Sequence, residues 1–569
     1  MTNISIELIL SENSLTVLKT RYLQPGETPA ERFRAVAKHI ANAEKTGEEK
    51  IFWEGKFYEL LCSLNFLPNS PVLFNAGTGS GCLSACFCLS PEDSMESIMK
   101  IATDSTMIQK WGGGVGHGLS LIRRKGASIK STQKYALGPL GVLRILSSVS
   151  KEITHGGRRN GANMGQLSDS HPDLYSFIHS KDNDNEFDNF NISVQLSEKF
   201  MKSVKDNKDW DLIDPHDKTV IQTVKARDLW NEIIKSAWKT GDPGIVFIDR
   251  VNDSAPNPSL GPILTSNPCA EQFLEDYNNC CLGSISVHHF IENNEINWNK
   301  LEETINLSVR FLDNVIEVNE FPLPKLREVN LLTRRIGLGI MGWADLLILL
   351  NIPYDSDDAI ILGEKLMSFI TEKAWKQSHL LAQERGPFPL FNKSRLNQDF
   401  PVRNSCVTSI APTGTISIIS GCAGGGIEPF PALVYHKNVL NGKRLEEVNP
   451  YLLGILNKRN IFLSDSEWKK IKYAGSIQEI GSIPEDIKDL FKTANEIPVE
   501  RHIEMMAVFQ KHTTNSISKT INLPNNASVE DVEKAYWLAY ESGVKSVTIY
   551  RDGSKSKQVL ETLSTEATK

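Results

Sequence analysis

Five consecutive residues, Asn267-Pro268-Cys269-Ala270-Glu271, set an amide, a thiol and a carboxylate at alternate positions. Alternate side chains of an extended backbone share a face, so the spacing predicts that Asn267, Cys269 and Glu271 point the same way. Such a group could hold a hydroxyl, take its proton and remove a hydrogen atom. A second run, Asn279-Cys280-Cys281-Leu282-Gly283-Ser284, follows closely, and Cys86 stands in Leu83-Ser84-Ala85-Cys86-Phe87. A Cys-x-Glu triplet alone more often means a small core residue beside a turn, because free cysteine packs like a hydrophobe.

Other segments bear on that choice. Ala411-Pro412-Thr413-Gly414-Thr415-Ile416-Ser417 closes an apolar run with hydroxyl residues and glycine. A turn of this composition can bare backbone N–H groups to a phosphate, although its usual meaning is a capped turn. Ser70-Pro71 precedes Asn75-Ala76-Gly77-Thr78, and Gly113 and Gly114 lie in a glycine run that could let backbone approach a ligand closely. Asp93-Ser94 reads as a helix cap and Arg123 as a surface charge when taken alone.

The elements that must position these residues are of mixed type. Thr28-Pro29-Ala30-Glu31 is a helix start with a capping box, and residues 1–65 read as a small helical region. From about residue 66, short apolar runs alternate with helical segments. Strands are predicted at 72–74, 85–89, 118–122, 191–194, 244–248, 284–287, 336–340, 407–410 and 547–550. A helix near 357–385 is closed by Gly386-Pro387, and another follows the Ser528-x-x-Asp531 box. This alternation predicts an α/β domain over 66–555 with buried strands. About ten strands suit a barrel. Residues 556–569 read as a mobile polar tail.

Bulk properties narrow the function class. The 569 residues are 40% hydrophobic and 23% charged, with a formal net charge of −7 and no long basic run. Broad nucleic-acid binding is not suggested. The N-terminus has no signal-peptide pattern and no stretch suits a membrane span, so a cytoplasmic setting is expected. Nine cysteines there read as free thiols or catalytic groups before disulfides, and their spacing predicts no zinc site.

Taken together, the ordered motifs NSPVLFNAGT, LSACF, GGGVGHGLSLIR, RRNGANMG, NPCAEQ, CLGSISV, APTGTISIISG, HTTNSISKTINLP and VTIYRDGS resemble the catalytic subunit of ribonucleotide reductases over residues 8–557. The set most resembles the dimeric, adenosylcobalamin-dependent class II enzymes. The resemblance implies a ten-stranded α/β barrel with a radical cysteine on a finger loop inside it. It implies Cys269 as that cysteine, Glu271 and Asn267 acting on the ribose, and Cys86 with Cys280 as the dithiol that reduces C2′. Cys281 stands where the family commonly has Asn and is the nearest confusion for Cys280. Ser70, Ala85, Gly114, Pro412, Thr413, Gly414, Thr415 and Ile416 match substrate-binding positions. Asp93, Ser94 and Arg123 match an effector site for a deoxynucleotide (or ATP), and Arg158, Arg159, Asn160 and Gly161 match the loop that couples effector to substrate choice.

The expected substrate is a ribonucleoside diphosphate or triphosphate, and the expected assembly a homodimer. The N-terminal region is short for the family's ATP-cone, so no on/off site is expected. No cysteine follows Cys422, so an external reductant such as a thioredoxin or glutaredoxin is expected. No Tyr-Tyr dipeptide occurs and Tyr550 stands in IYRDGS, which favours adenosylcobalamin over a radical delivered by a metal-containing partner, as in class I large subunits. Two alternatives stay open: such a class I subunit, and an inactive nucleotide-binding regulator on the same fold.

Overall fold

The computed structural model describes residues 8–79, 81–129, 133–154, 162–182, 186–398, 400–438, 444–554 and 560–561. Three helices come first, Glu12–Arg21, Pro29–Ala41 and Gly47–Cys62. The capping box at Thr28 and Glu31 forms, and Thr46 with Glu49 makes a second one. Phe33, Val36, Ala37 and Ile40 recur at helical spacing and are fully buried. Phe57 meets Phe311 of the long helix Trp298–Val318 edge-on, at 5.1 Å between ring centres.

Beneath these helices lies a network of buried ion pairs. Glu44 accepts from both Arg310 and Arg385, each at 2.7 Å. Asp313 faces Arg334 at 2.8 Å, Arg385 at 3.4 Å and Arg403 at 3.5 Å. Burial opposes ionisation of Glu44 and Asp313. The surrounding guanidinium groups, with Asn314 beside Glu44, outweigh it and hold both carboxyls below their usual range.

The strands form two parallel sets. In the first, Cys86–Cys88, Gly114–Gly118, Asn163–Ser168, Phe190–Leu196 and Gly244–Phe247 are successive parallel neighbours. In the second, Leu282–Ser286 pairs parallel with Gly337–Met341, Leu338 bridges Thr408, Ile410 bridges Ile517, and Thr520–Leu523 pairs parallel with Ser546–Arg551. The sets meet at antiparallel seams. Gly244–Phe247 pairs with Ser546–Arg551, and Asn278–Asn279, which leads into Leu282–Ser286, pairs with Cys86–Cys88. Backbone pairing therefore passes round ten segments, the barrel arrangement expected from the sequence. Helices such as Ala226–Thr240, Asp357–Arg385 and Val529–Glu541 accompany the strands.

Three local readings are corrected. Residues 72–74 lie in the helix Ser70–Asn75, because Asn69 caps it and Pro71 starts it. The strand expected at 118–122 is Gly114–Gly118 instead. Strands Asn163–Ser168 and Thr520–Leu523 were not expected. The first is built on polar residues, and Asn163 and Gln166 are buried but hydrogen-bonded. Of the tail, Leu560–Glu561 pair antiparallel with His436–Lys437, and residues 555–559 and 562–569 lie outside the described part. No described helix is long and apolar enough to cross a membrane.

Candidate active site

A hairpin, Thr265–Ser266 paired with Phe273–Leu274, projects into the ring of strands. Its tip is a tight turn, not the extended run that the alternation of Asn267, Cys269 and Glu271 predicts. Ala270 takes φ +62° and its N–H bonds back to Asn267 O at 3.1 Å. Asn267 Oδ1 accepts from the Gln272 amide at 3.0 Å and closes the loop. Pro268 fixes one φ and Ala270 adopts the left-handed region, so the turn, rather than strand periodicity, sets where Cys269 and Glu271 point, while the Asn267 side chain is buried in closing the loop. Of the nine cysteines only Cys269 is exposed, and the other eight are buried.

The barrel wall makes room for this hairpin. Gly114, Gly116 and Gly118 alternate along one strand. A Cβ on Gly116 would overlap Ser266 O. One on Gly118 would lie 2.6 Å from Leu264 O, and one on Gly114 would lie 2.9 Å from Pro268 Cγ. The glycine run thus serves the approach of the hairpin backbone. Amides then hold the hairpin: Gln166 donates to Ser266 Oγ at 2.8 Å, Gln195 to Leu264 O at 2.7 Å and Asn191 to Pro268 O at 2.9 Å. On the opposite side Ser409 Oγ donates to Glu271 O at 2.7 Å, Phe273 N–H donates to Asn515 Oδ1 at 2.9 Å, and Arg335 donates to Phe273 O at 3.0 Å. None of these holding residues was singled out in the sequence, where the glycine alternation was the signal available.

Cys269 stands between two cavities. One, of about 410 Å³, is lined by Ser70, Ala85, Cys86, Gly114, Cys269 and Glu271 and by the turn 411–416. The expected substrate residues are therefore brought together. Ser417 N–H bonds to Thr413 O at 2.9 Å, and Thr413 Oγ1 accepts from Gly426 N–H at 2.8 Å, which fixes the turn. Asn267 Nδ2 is buried without a hydrogen-bond partner among the described residues. The second cavity, of about 320 Å³, shares Pro268, Cys269 and Pro412 with the first and is bordered by Asn191, Asp242, Lys519 and Tyr550. Burial pushes the Tyr550 phenol up to about 12, and its hydroxyl has no hydrogen-bond partner among the described residues.

The adjacent cysteines Cys280 and Cys281 face opposite sides. Cys280 packs with Ala85, Cys86 and Cys88 in a small cluster of its own, and its N–H bonds to Cys86 O at 3.1 Å. Cys281 turns to the other face, where its thiol donates to Leu312 O at 3.4 Å. Burial first, then the Cys86 thiol and the Glu271 carboxylate, raise Cys280 well above its ordinary value. Its sulfur is held as a thiol, the form that carries a hydrogen. Cys82 and Cys88 are engaged elsewhere, with Asn319 Oδ1 at 3.4 Å and Thr265 O at 3.8 Å.

At the expected effector site, Arg123 Nε donates to Asp93 Oδ2 at 2.7 Å and its backbone N–H to Oδ1 at 3.1 Å. His216 Nδ1 lies 3.2 Å from the same carboxylate. Ser94 caps the helix Met95–Gln109. Arg158, Arg159, Asn160 and Gly161 lie outside the described residues.

The family described as "Ribonucleotide reductase, barrel domain" matches residues 84–401 and 397–550, and "Ribonucleotide reductase, all-alpha domain" matches 9–81. The chain belongs to the ribonucleotide reductase family. A vitamin B12-dependent ribonucleoside-diphosphate reductase of Thermoplasma acidophilum is 39% identical, over 97% of this chain and 80% of that protein. One from Mycobacterium tuberculosis H37Rv is 40% identical, over 97% and 79%. The solved structure of an Actinobacillus ureae class Id ribonucleotide reductase alpha subunit superposes with a TM-score of 0.79 at 25% identity, over 97% of this chain and 98% of that one. Within the reductase family, this chain has its thiols, carboxylate and hydroxyl turn around one cavity.

Proposed function

We propose that this chain reduces ribonucleotides to deoxyribonucleotides by thiyl-radical chemistry at Cys269. The observation that carries the reading is the position of Cys269, exposed to two cavities, with Cys86 and Glu271 lining one of them and Cys280 packed behind Cys86. As a thiyl radical, Cys269 removes the 3′-hydrogen of the ribose. Glu271 takes the 3′-hydroxyl proton and the unpartnered Nδ2 of Asn267 is available to a sugar oxygen. Loss of water from C2′ becomes easier once C3′ carries the radical. Cys86 and Cys280 supply the two hydrogens' worth of reduction and become a disulfide. Cys269 then returns its hydrogen to C3′.

The second cavity suits the radical source. Its volume is at the lower end of the roughly 300–1,000 Å³ typical of small-molecule sites. It reaches Cys269 from the side away from Cys86 and offers the unpartnered Tyr550 hydroxyl with Asn191 and Ser193. These residues fit a nucleoside-sized group, as the adenosyl part of adenosylcobalamin would require. Adenosylcobalamin supplies a carbon radical by homolysis of its cobalt–carbon bond. The names of the two B12-dependent relatives support this choice.

Asp93, Ser94 and Arg123 form the effector site, with the loop at 158–161 carrying its message to the substrate. The helix Met95–Gln109 that starts there exposes Met95, Met99 and Met107 along its outer side. An apolar stripe of this kind suits a second copy of the chain, and the protein works as a homodimer reduced by an external dithiol protein.

The test is direct. Purified protein is given CDP or CTP, dithiothreitol and a deoxynucleotide effector, with and without adenosylcobalamin, and deoxycytidine products are measured. Product that requires adenosylcobalamin is the expected result and shows the phosphate level used. No product in either case overturns the cobalamin reading, and product only with a metal-containing partner subunit establishes the class I alternative.

A further inference from the structure

We infer that the first helix belongs to the substrate site: Arg21 binds the polyphosphate tail of the ribonucleotide, and Tyr22 positions the hydroxyls beside it. This rests on the function proposed above and adds two residues to it.

The helix Glu12–Arg21 is fastened to the hydroxyl turn. Ser14 is buried, and its Oγ donates to Ile418 O at 2.8 Å, on the short helical segment Ile416–Ile419 that follows residues 411–416. At the other end of the helix, Tyr22 is 1% exposed. Its hydroxyl lies 2.6 Å from Thr415 Oγ1 and 2.8 Å from Ser70 Oγ. One phenol thus sets two hydroxyls that sit 3.5 Å apart, one from the helix Ser70–Asn75 and one from the turn. Val17, Arg21 and Tyr22 line the same cavity as Cys269 and Glu271.

Charge decides what such a wall would hold. Among the described lining residues Arg21 is the one cation and Glu271 the one carboxylate. Glu271 lines the cavity with Cys86 and Cys269, where the sugar reacts, and Arg21, next to Tyr22 in sequence, lines the same cavity as the Tyr22, Ser70 and Thr415 hydroxyls. Arg21 forms no ion pair with any described residue, whereas Arg32 and Arg34 on the next helix pair with Glu27 and Glu54, each at 3.6 Å. A guanidinium without a protein counter-ion, on a cavity that also presents three hydroxyls, suits a dianionic or more highly charged phosphate group. A bland role is also defined: Lys19 and Arg21 occupy the last turn of the helix, where cations complement its dipole. That role would affect stability alone.

The experiment measures binding of CDP, cytidine and pyrophosphate to the full chain by calorimetry, with steady-state reduction of CDP alongside. Arg21→Gln is expected to weaken CDP and pyrophosphate binding by roughly tenfold or more and to leave cytidine binding unchanged. KM for CDP should rise by a similar factor with kcat within about twofold, and Arg21→Lys should recover part of the loss. Tyr22→Phe should raise KM less. Unchanged CDP binding in Arg21→Gln, with only a lower melting temperature, would show the helix-end role and overturn the inference. Should Arg21→Gln fail to fold, the charge-removing Arg21→Met is read in its place, and unchanged CDP and pyrophosphate binding there overturns it equally. A wild-type chain that binds no CDP overturns the reductase reading itself, an outcome distinct from both.

Discussion

Around the hairpin that carries Cys269 the contacts are amides, hydroxyls and backbone carbonyls set against a glycine strand. Under the N-terminal helices they are guanidinium–carboxylate pairs, with Glu44 and Asp313 each shared among two or three arginines. Both regions are buried and both join segments distant in sequence. The ion network holds by charge, and its fields are spent on its own members. Among the described residues Arg335 is the one guanidinium that donates to the hairpin, and it is already paired with Glu275 at 2.9 Å. Most of the hairpin is held by neutral groups and close approach. Rigidity around the Cys269 hairpin is obtained mainly by fit, and rigidity under the N-terminal helices by electrostatics.

The largest expected effect separates the two faces of one strand. Cys280→Ser should lower multiple-turnover reduction by roughly 10⁴-fold or more, because the dithiol acts as a unit. Cys281→Ser, on the face toward Leu312, should leave turnover within a few-fold. Equal losses in the two variants would break the assignment. Glu44→Ala comes next. It leaves Arg310 and Arg385 without their shared carboxylate, and removing one partner of a buried network costs about 3–5 kcal/mol. Urea unfolding should show that loss while turnover in the absence of urea changes little. A variant with wild-type stability would show that the network is not a clamp.

Gly116→Ala tests the glycine wall. The added methyl overlaps Ser266 O, so the hairpin must shift, and a displacement of about 1 Å costs roughly 10²-fold in rate. Wild-type turnover would mean that the hairpin is not positioned by this strand. The smallest effect is one of pH. Burial lowers His117, in the same strand, to about 4, and lowers His288 and His502 to about 3. An imidazole whose folded pKa is depressed gives stability that is complete above the unfolded value near 6.5 and lost as pH falls below it. Glu44 and Asp313 are also held below their usual range and stay ionised through this window. From pH 6.5 to 5.5 the unfolding free energy should fall by up to about 1.4 kcal/mol for each such imidazole, and His117→Asn should lose less. A flat profile over this interval would show that these rings are solvated or charged in the folded protein.

Much of the site was legible because its chemistry is concentrated in short runs. Cys269, Glu271, Cys86 and the 411–416 turn are joined by the structure around one cavity. The path by which they meet was less legible. Alternation along 267–271 suggests a strand, and only the left-handed backbone at Ala270 shows how a turn directs Cys269 and Glu271. The strand Asn163–Ser168 was missed because buried amides paired with Ser150, Gln109 and Ser266 look polar in a sequence. Residues 72–74 misled in the opposite sense, since three apolar residues serve a buried helix turn as well as a strand. Arg21 and Tyr22 carried no signal, for their significance is entirely in which segment they are folded against.

The wall between the two cavities is thin, consisting of Pro268, Cys269 and Pro412. Under the function proposed above, the Cys269 sulfur faces a ligand in each chamber, and the state of one thiol couples the two.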